Sequence, residues 1–143
     1  MSRIPKIKSN LAVARIIDAN FNRAREGLRV CEEITRFIIE NPRLTSEIKT
    51  IRHGLKQASG GLLPLSRLLE GRDARGDIGK CIYGNELKRN GCRDIFLANI
   101  QRVKESVRVL EEFSKLKNKK IPLVFKDMRY RLYEIEKKAS REL

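Results

Sequence analysis

The sequence predicts an all-α fold, an internally duplicated helical bundle in which two related helix pairs are joined by a short helix and a Gly/Asp-rich loop. Three observations carry this reading. Apolar residues recur at helical spacing over long stretches, as Ile17, Phe21, Ala24, Leu28, Cys31 and Ile38 do on one side of a helix. One stretch occurs twice: ANFNRAREGLRVCEE from Ala19 returns as ANIQRVKESVRVLEE from Ala98, with eight identities in fifteen positions at a shift of 79. Downstream, Ile48, Ile51, Arg52 and Leu55 answer to Phe125, Met128, Arg129 and Leu132 at a shift of 77, so each copy is a helix pair.

Residues 1–8 form a basic lead around Pro5 that is expected to be irregular, after which Ser9 or Asn10 offers a cap. The first helix is expected from Leu11 to about Ile39, with Glu26, Arg29 and Glu33 nearly opposite the apolar stripe and Asn20 and Arg23 flanking it. Asn41-Pro42 closes it, because the proline ring disfavours helical geometry in the residue before it. A second helix is expected to start near Thr45 and to end at Gly60-Gly61, and Leu62 to Leu69, with Pro64 near its start, reads as a short third one. The stretch GRDARGDIGK, Gly71 to Lys80, has neither helical period nor counterpart in the repeat and reads as a loop. Asp94 can cap a long helix running to about Lys117, KNKK is an exposed basic turn, and the last helix runs from about Leu123. Ile82-Tyr83 is too short to count as a strand.

With 143 residues, of which 41% are hydrophobic, the chain is expected to be a single helical domain over 1–143, with repeats at about 15–57 and 94–137. The formal charge of +14, from 32 Lys and Arg against 18 Asp and Glu, attracts polyanions or phosphorylated small molecules, although a solvated Lys- and Glu-rich surface accounts for it equally. Cys31, Cys81 and Cys92 make an odd set without a C-x-x-C pair, which supports neither zinc nor a disulfide framework and agrees with a reducing cytoplasm. Nowhere is there an apolar run of transmembrane length, so no membrane partner is expected.

Chemistry can reside in two places. The series Asn20, Arg23, Glu26, Arg29 recurs as Asn99, Arg102, Glu105, Arg108, joined by Arg52 and Arg129; a core needs only matching volume, whereas a site needs particular donors and acceptors. Surface ion pairs, each worth roughly 0.2–0.5 kcal/mol, are the plainer reading. If the copies pack about a pseudo-twofold axis, the two sets could face each other as one polar network. The loop is the second place: Asp73 and Asp77 could hold a hard cation, and Arg72, Arg75 and the loop amides could hold phosphate. It is not a Walker loop, since Cys81 follows Gly79-Lys80 where Ser or Thr is needed. His53 is the lone histidine, answered by Tyr130, and more often such a residue is an ordinary side chain.

The two copies, the central RDARGDIG and the later MRYRLYEIE together resemble the helical domain found alone or fused ahead of thiamine phosphate synthase in some bacteria, a monofunctional hydroxymethylpyrimidine-phosphate kinase. The likeness spans roughly Arg15 to Lys137, with four separated motifs in the same order. It implies a cytoplasmic phosphotransferase of thiamine biosynthesis that turns the pyrimidine monophosphate into the diphosphate, with ATP as co-substrate and Mg2+. The synthase barrel is missing from this sequence, so synthase activity is not expected. On that reading Arg72 acts with Asp73 and Asp77 in catalysis, and Asp73, Asp77 and Glu33 hold magnesium. Phosphates are then bound by Asn20, Arg23, Glu26, Arg29, Arg52, His53, Asn99, Arg102, Glu105, Arg108 and Arg129. The alternatives are a basic helical nucleic-acid-binding module, against which no helix-turn-helix or aromatic platform is evident, and a non-catalytic partner of a thiamine enzyme. A homodimer is left open.

Overall fold

The computed structural model describes residues 6–81 and 84–143, and among them there are helices and turns but no strand. The basic lead as far as Pro5, expected to be irregular, and Ile82-Tyr83, too short for a strand, lie outside the described residues. Five α-helices follow in order: α1 Lys6–Phe37, α2 Pro42–Leu62, α3 Leu65–Gly71, α4 Cys92–Ser114 and α5 Ile121–Ser140, with a 3-10 turn at Gly84–Leu87 that the sequence reading did not foresee.

Several boundaries differ from expectation for local reasons. The first helix begins at Lys6 rather than Leu11, since no glycine or proline interrupts the turn before Ser9. It ends at Phe37, because the amides of Ile38 and Ile39 both return to the Ile34 carbonyl, at 3.0 and 2.9 Å, and Asn41 N–H reaches back to Thr35 O. Glu40 then takes a left-handed φ of 55°, and Ile38, expected in the core stripe, is 57% exposed. The second helix starts at Pro42, three residues before the expected Thr45. Asn41 is its cap, accepting a 3.0 Å hydrogen bond from Leu44 N–H, and proline suits the first helical position. In α4 the expected cap Asp94 sits inside the first turn, where its carboxylate accepts from Asn90 N–H.

The long helices form a four-helix arrangement in which every packed neighbour runs antiparallel. Arg52 reaches Glu32 and Thr45 reaches Thr35 across α1 and α2, while Arg129 reaches Glu111 and Lys104 reaches Glu136 across α4 and α5. Cys31 Sγ lies 3.9 Å from the Phe96 carbonyl and Gly27 lies beside Val103, which sets α1 against α4 in opposite senses. The central core is aliphatic with two rings, Ile17, Leu28, Ile48, Leu55, Ile100, Leu110 and Leu132 packing with Phe96 and Phe125. α3 lies along the N-terminal half of α1, where a Cβ on Gly71 would touch Ala14 and Arg15.

Gly27 permits the central crossing. A Cβ there would stand 2.6 Å from Val103 Cγ2 and 3.2 Å from the Asn99 carbonyl oxygen, one a core side chain and the other backbone. Gly27→Ala is therefore expected to cost about 1–3 kcal/mol in urea unfolding, whereas Gly60→Ala, in open space on α2, should be neutral or stabilise by up to about 1 kcal/mol.

Burial, with the nearby Glu136 carboxylate adding to it, pushes the Cys31 thiol up to about 12. Because only the thiolate reacts, Cys31 stays protonated and inert at pH 8. A thiol-reactive dye should then label two cysteines in the native chain, Cys81 and Cys92, and a third only after unfolding.

Candidate functional site

Glu32 and Glu111, 79 positions apart in the two matching stretches, are both buried, at 1% and 4% exposure. Each follows the core stripe of its helix, Leu28-Cys31-Glu32-Thr35 in one copy and Val107-Leu110-Glu111-Ser114 in the other, so an acid stands where the spacing calls for an apolar side chain. Each is neutralised twice. Arg29 Nη1 donates to Glu32 at 2.7 Å and Arg52 Nη2 at 3.4 Å, while Arg108 Nη1 donates to Glu111 at 2.9 Å and Arg129 Nη2 at 3.0 Å. Thr35 and Ser114 cap the arrangement by donating to the carbonyls of Glu32 and Glu111.

This corrects one expectation. The two charged sets do not face each other as a single network. Cys31 is level with the Phe96 carbonyl, and Glu111 lies fifteen residues further along α4, roughly 22 Å down its axis. Two separate clefts result, each on its own helix pair. Asn22, Arg25, Glu26, Arg29 and Arg52 line the first, of about 360 Å³; Gln101, Lys104, Glu105, Arg108, Arg129 and Tyr133 line the second, of about 380 Å³.

Among the described residues the loop is tied to α1 through Arg72. Arg72 donates to Asp18 from both Nε, at 2.8 Å, and Nη2, at 2.6 Å, a two-pronged bridge to a side chain that is almost wholly buried. The Asp18 hydrogen bonds and charge raise the Arg72 guanidinium above its ordinary value. Asn22 Nδ2 also donates to Asp18 Oδ1, which fixes the carboxylate on α1. In the register of the two matching stretches Asp18 has Leu97 as its counterpart, a side chain that cannot accept such a bridge. The latch forms a cleft of about 630 Å³ between α1 and the loop, lined by Asn20, Arg23 and Glu26 on one wall and by Arg72, Asp73 and Asp77 on the other. It shares Asn22 and Glu26 with the first cleft, so the two open along one face of α1.

Asp73 Oδ1 accepts from Gly76 N–H at 2.9 Å and Asp77 Oδ1 from Gly79 N–H at 2.8 Å, which commits one oxygen of each carboxylate to a turn. A Cβ on Gly76 would run into the Asp73 carboxylate, which would have to turn away from its place in the loop.

Eight of the residues singled out from sequence therefore border this face: Asn20, Arg23, Glu26, Arg29, Arg52, Arg72, Asp73 and Asp77. Others are elsewhere. Glu33 is exposed on α1 seven residues beyond Glu26, roughly 10 Å along the axis, and lines neither cleft, so it does not join the aspartates. Among the described residues no three His, Cys, Asp or Glu gather as a metal-ligand group. His53 is exposed and borders neither cleft. Glu105, Arg108 and Arg129 line the second cleft, but Asn99 bonds its own helix at the Ile95 carbonyl, as Asn20 does at Ile16, and Arg102 is exposed outside it.

The sequence reading missed Asp18, Arg25 and the buried pair Glu32 and Glu111. Their signal was present: an acid at core spacing preserved in both copies, and an aspartate directly after the core residue Ile17.

A family model described as the ThiD2 family matches residues 15–138. The chain is 41% identical over 129 residues to a thiamine-phosphate synthase of a Synechocystis species, covering 90% of this chain and 36% of that protein. It is 41% identical over 125 residues to one from Nostoc punctiforme, at 87% and 34% coverage, and 36% identical over 122 residues to one from Rhodopirellula baltica, at 85% and 32%. It spans about a third of the length of these curated relatives. No solved structure matches it.

The latch gives a direct test. Asp18→Asn should leave the helical circular dichroism unchanged and accelerate tryptic cleavage after Arg72, Arg75 and Lys80 in the native chain. An unchanged cleavage pattern would show that the loop is held by something else.

Proposed function

The chain belongs to the ThiD2 family, and from that membership and the trench along α1 we propose that it is a phosphotransferase of thiamine biosynthesis. The reaction is conversion of hydroxymethylpyrimidine monophosphate to the diphosphate, with ATP as donor. The observation that carries the reading is the meeting, on one face of α1, of two loop aspartates with a line of arginines, Arg23, Arg25, Arg29 and Arg52.

Phosphoryl transfer between two phosphorylated reactants demands charge neutralisation and alignment more than a reactive side chain. An oxygen of the pyrimidine monophosphate attacks the γ-phosphorus of ATP, the bond from the γ-phosphorus to the β,γ-bridging oxygen breaks, and ADP leaves with the electron pair. The attacking oxygen is already ionised at neutral pH, since the second ionisation of a phosphate monoester lies near 6. No strong general base is needed, which agrees with the position of His53 outside the trench. Arg23 borders the loop end of the trench and Arg25 and Arg29 its other end, so the arginines can neutralise both phosphates along its length.

A magnesium ion fits two carboxylates better than a protein cage would, because Mg2+ commonly binds through one or two carboxylates and completes its shell with phosphate oxygens and water. Asp73 and Asp77 are the residues that would hold it, each with an oxygen not spent on its turn, and there it would supply charge neutralisation between the phosphates. Arg72 serves the loop rather than the substrate, since its Nε and Nη2 are given to Asp18.

The nucleic-acid alternative finds less support, because the cations of this face alternate with Glu26, Asp73 and Asp77 instead of forming a continuous basic stripe. The non-catalytic alternative is separated by kinetics. Purified chain with ATP, Mg2+ and the pyrimidine monophosphate is expected to form the diphosphate, with the free alcohol as a negative control. Asp73→Asn or Asp77→Asn should lower turnover by about a hundredfold or more with an unchanged helical spectrum. Absence of diphosphate in the native reaction would retire the kinase reading.

A further inference from the structure

The five residues that line the first cleft each have a counterpart in the second, which Tyr133 borders in addition. In the repeat register Asn22, Arg25, Glu26, Arg29 and Arg52 answer to Gln101, Lys104, Glu105, Arg108 and Arg129, and the volumes are nearly equal. What differs is how the cations are occupied.

In the second cleft every cation is engaged from within. Lys104 Nζ lies 3.0 Å from Glu136, and Arg108 contacts both Glu111, at 2.9 Å, and Glu112, at 3.3 Å. Arg129 gives Nε and Nη2 to Glu111 and Nη1 to the Tyr133 hydroxyl at 3.2 Å. Three cations stand against four carboxylates, Glu105, Glu111, Glu112 and Glu136.

The first cleft leaves more of its donors unspent, although Arg29 and Arg52 each give one nitrogen to Glu32. The register replaces Glu136 by Ser59 and Tyr133 by Lys56. Among the described residues Arg25 accordingly makes no ion pair and rests over the Phe21 ring, 5.3 Å from its centre. Glu33 is present at the place of Glu112, yet among the described residues Arg29 pairs with Glu32 alone. Arg52 meets Glu32 through one long contact of 3.4 Å, and its Nε is buried without a partner. Among the described residues two buried side-chain polar atoms lack a hydrogen bond, Arg52 Nε and Ser59 Oγ, and both belong to the first copy. Here three cations stand against two carboxylates, Glu26 and Glu32. Under-coordinated guanidinium groups are costly when left without acceptors, and their planar forks suit the oxygens of a phosphate.

We infer that the chain carries one phosphate subsite, built from Arg25, Arg29 and Arg52 and taking the dianion of a phosphate monoester, and that the matching cleft of the second copy is closed to such ligands by its own carboxylates. The duplication thus divides into a binding half and a self-neutralised half. The subsite lies in the trench assigned to phosphoryl transfer and rests on that reading for its substrate, but its test requires neither nucleotide nor turnover.

Calorimetric titration of the native chain with phenyl phosphate, without nucleotide or metal, is expected to give one equivalent bound per chain. Arg25→Gln should weaken binding about tenfold or more, and Arg25→Lys should recover part of the loss. Lys104→Gln should leave the affinity within about twofold while lowering the melting temperature, since it breaks the Lys104 to Glu136 pair. Two equivalents per chain, equal losses from Arg25→Gln and Lys104→Gln, or no saturable binding would overturn the inference. One equivalent bound through Arg25 without kinase turnover would retain this subsite and retire the kinase reading. Turnover with phosphate binding indifferent to Arg25 would do the opposite.

Discussion

Two buried carboxylates hold this bundle in register. An unpaired ionised side chain in an apolar interior costs several kcal/mol, so Glu32 and Glu111 are tolerable only where two guanidinium groups reach them. One arginine of each set comes from the same helix, three residues earlier, and the other from the following helix. The pairing of α1 with α2 and of α4 with α5 is thereby specified by direction and not only by apolar area, since a slip of either partner helix would strand a buried charge. The two pairs then meet at a crossing whose close approach depends on the missing Cβ of Gly27.

The helices were legible because apolar periodicity is set by the same geometry that buries them, and the repeat made the second pair readable from the first. Boundaries were harder. Local chemistry decided them, as where Asn41 and Pro42 outcompeted Thr45 for the start of α2, or where three amides folding back on Ile34 and Thr35 ended α1 before Ile38. The candidate site was half visible. Charged residues repeated at fixed spacing pointed to Arg29, Arg52 and Glu26, and the glycines pointed to the loop. The partner of each arginine was hidden, because a helical pattern states which face a side chain occupies and not which neighbouring helix supplies its counter-ion. Glu33 was preferred to Glu32 for that reason, although Glu32 has the core spacing and Glu33 is exposed.

The two helix pairs share a carboxylate network and differ around it. On the first copy, Asp18 ties down the loop, Ser59 stands where a carboxylate would neutralise Arg25, and Arg52 is left partly unsatisfied. On the second, Leu97, Glu136 and Tyr133 occupy the corresponding places. Unsatisfied donors lower stability, and among the described residues the buried ones, Arg52 Nε and Ser59 Oγ, both lie on α2.

Alternation of chain direction among the packed helices has an electrostatic consequence. Each axial macrodipole, about half a unit charge at either end, lies beside one of opposite sense, so their fields largely cancel a short distance from the surface. The far field that an approaching anion meets is then that of the side chains, with a formal excess of +14. Such a field is shortened to about 8 Å at physiological ionic strength. Capture of a multiply charged ligand from solution is therefore governed by added salt, while its retention is set by the few contacts formed inside the groove.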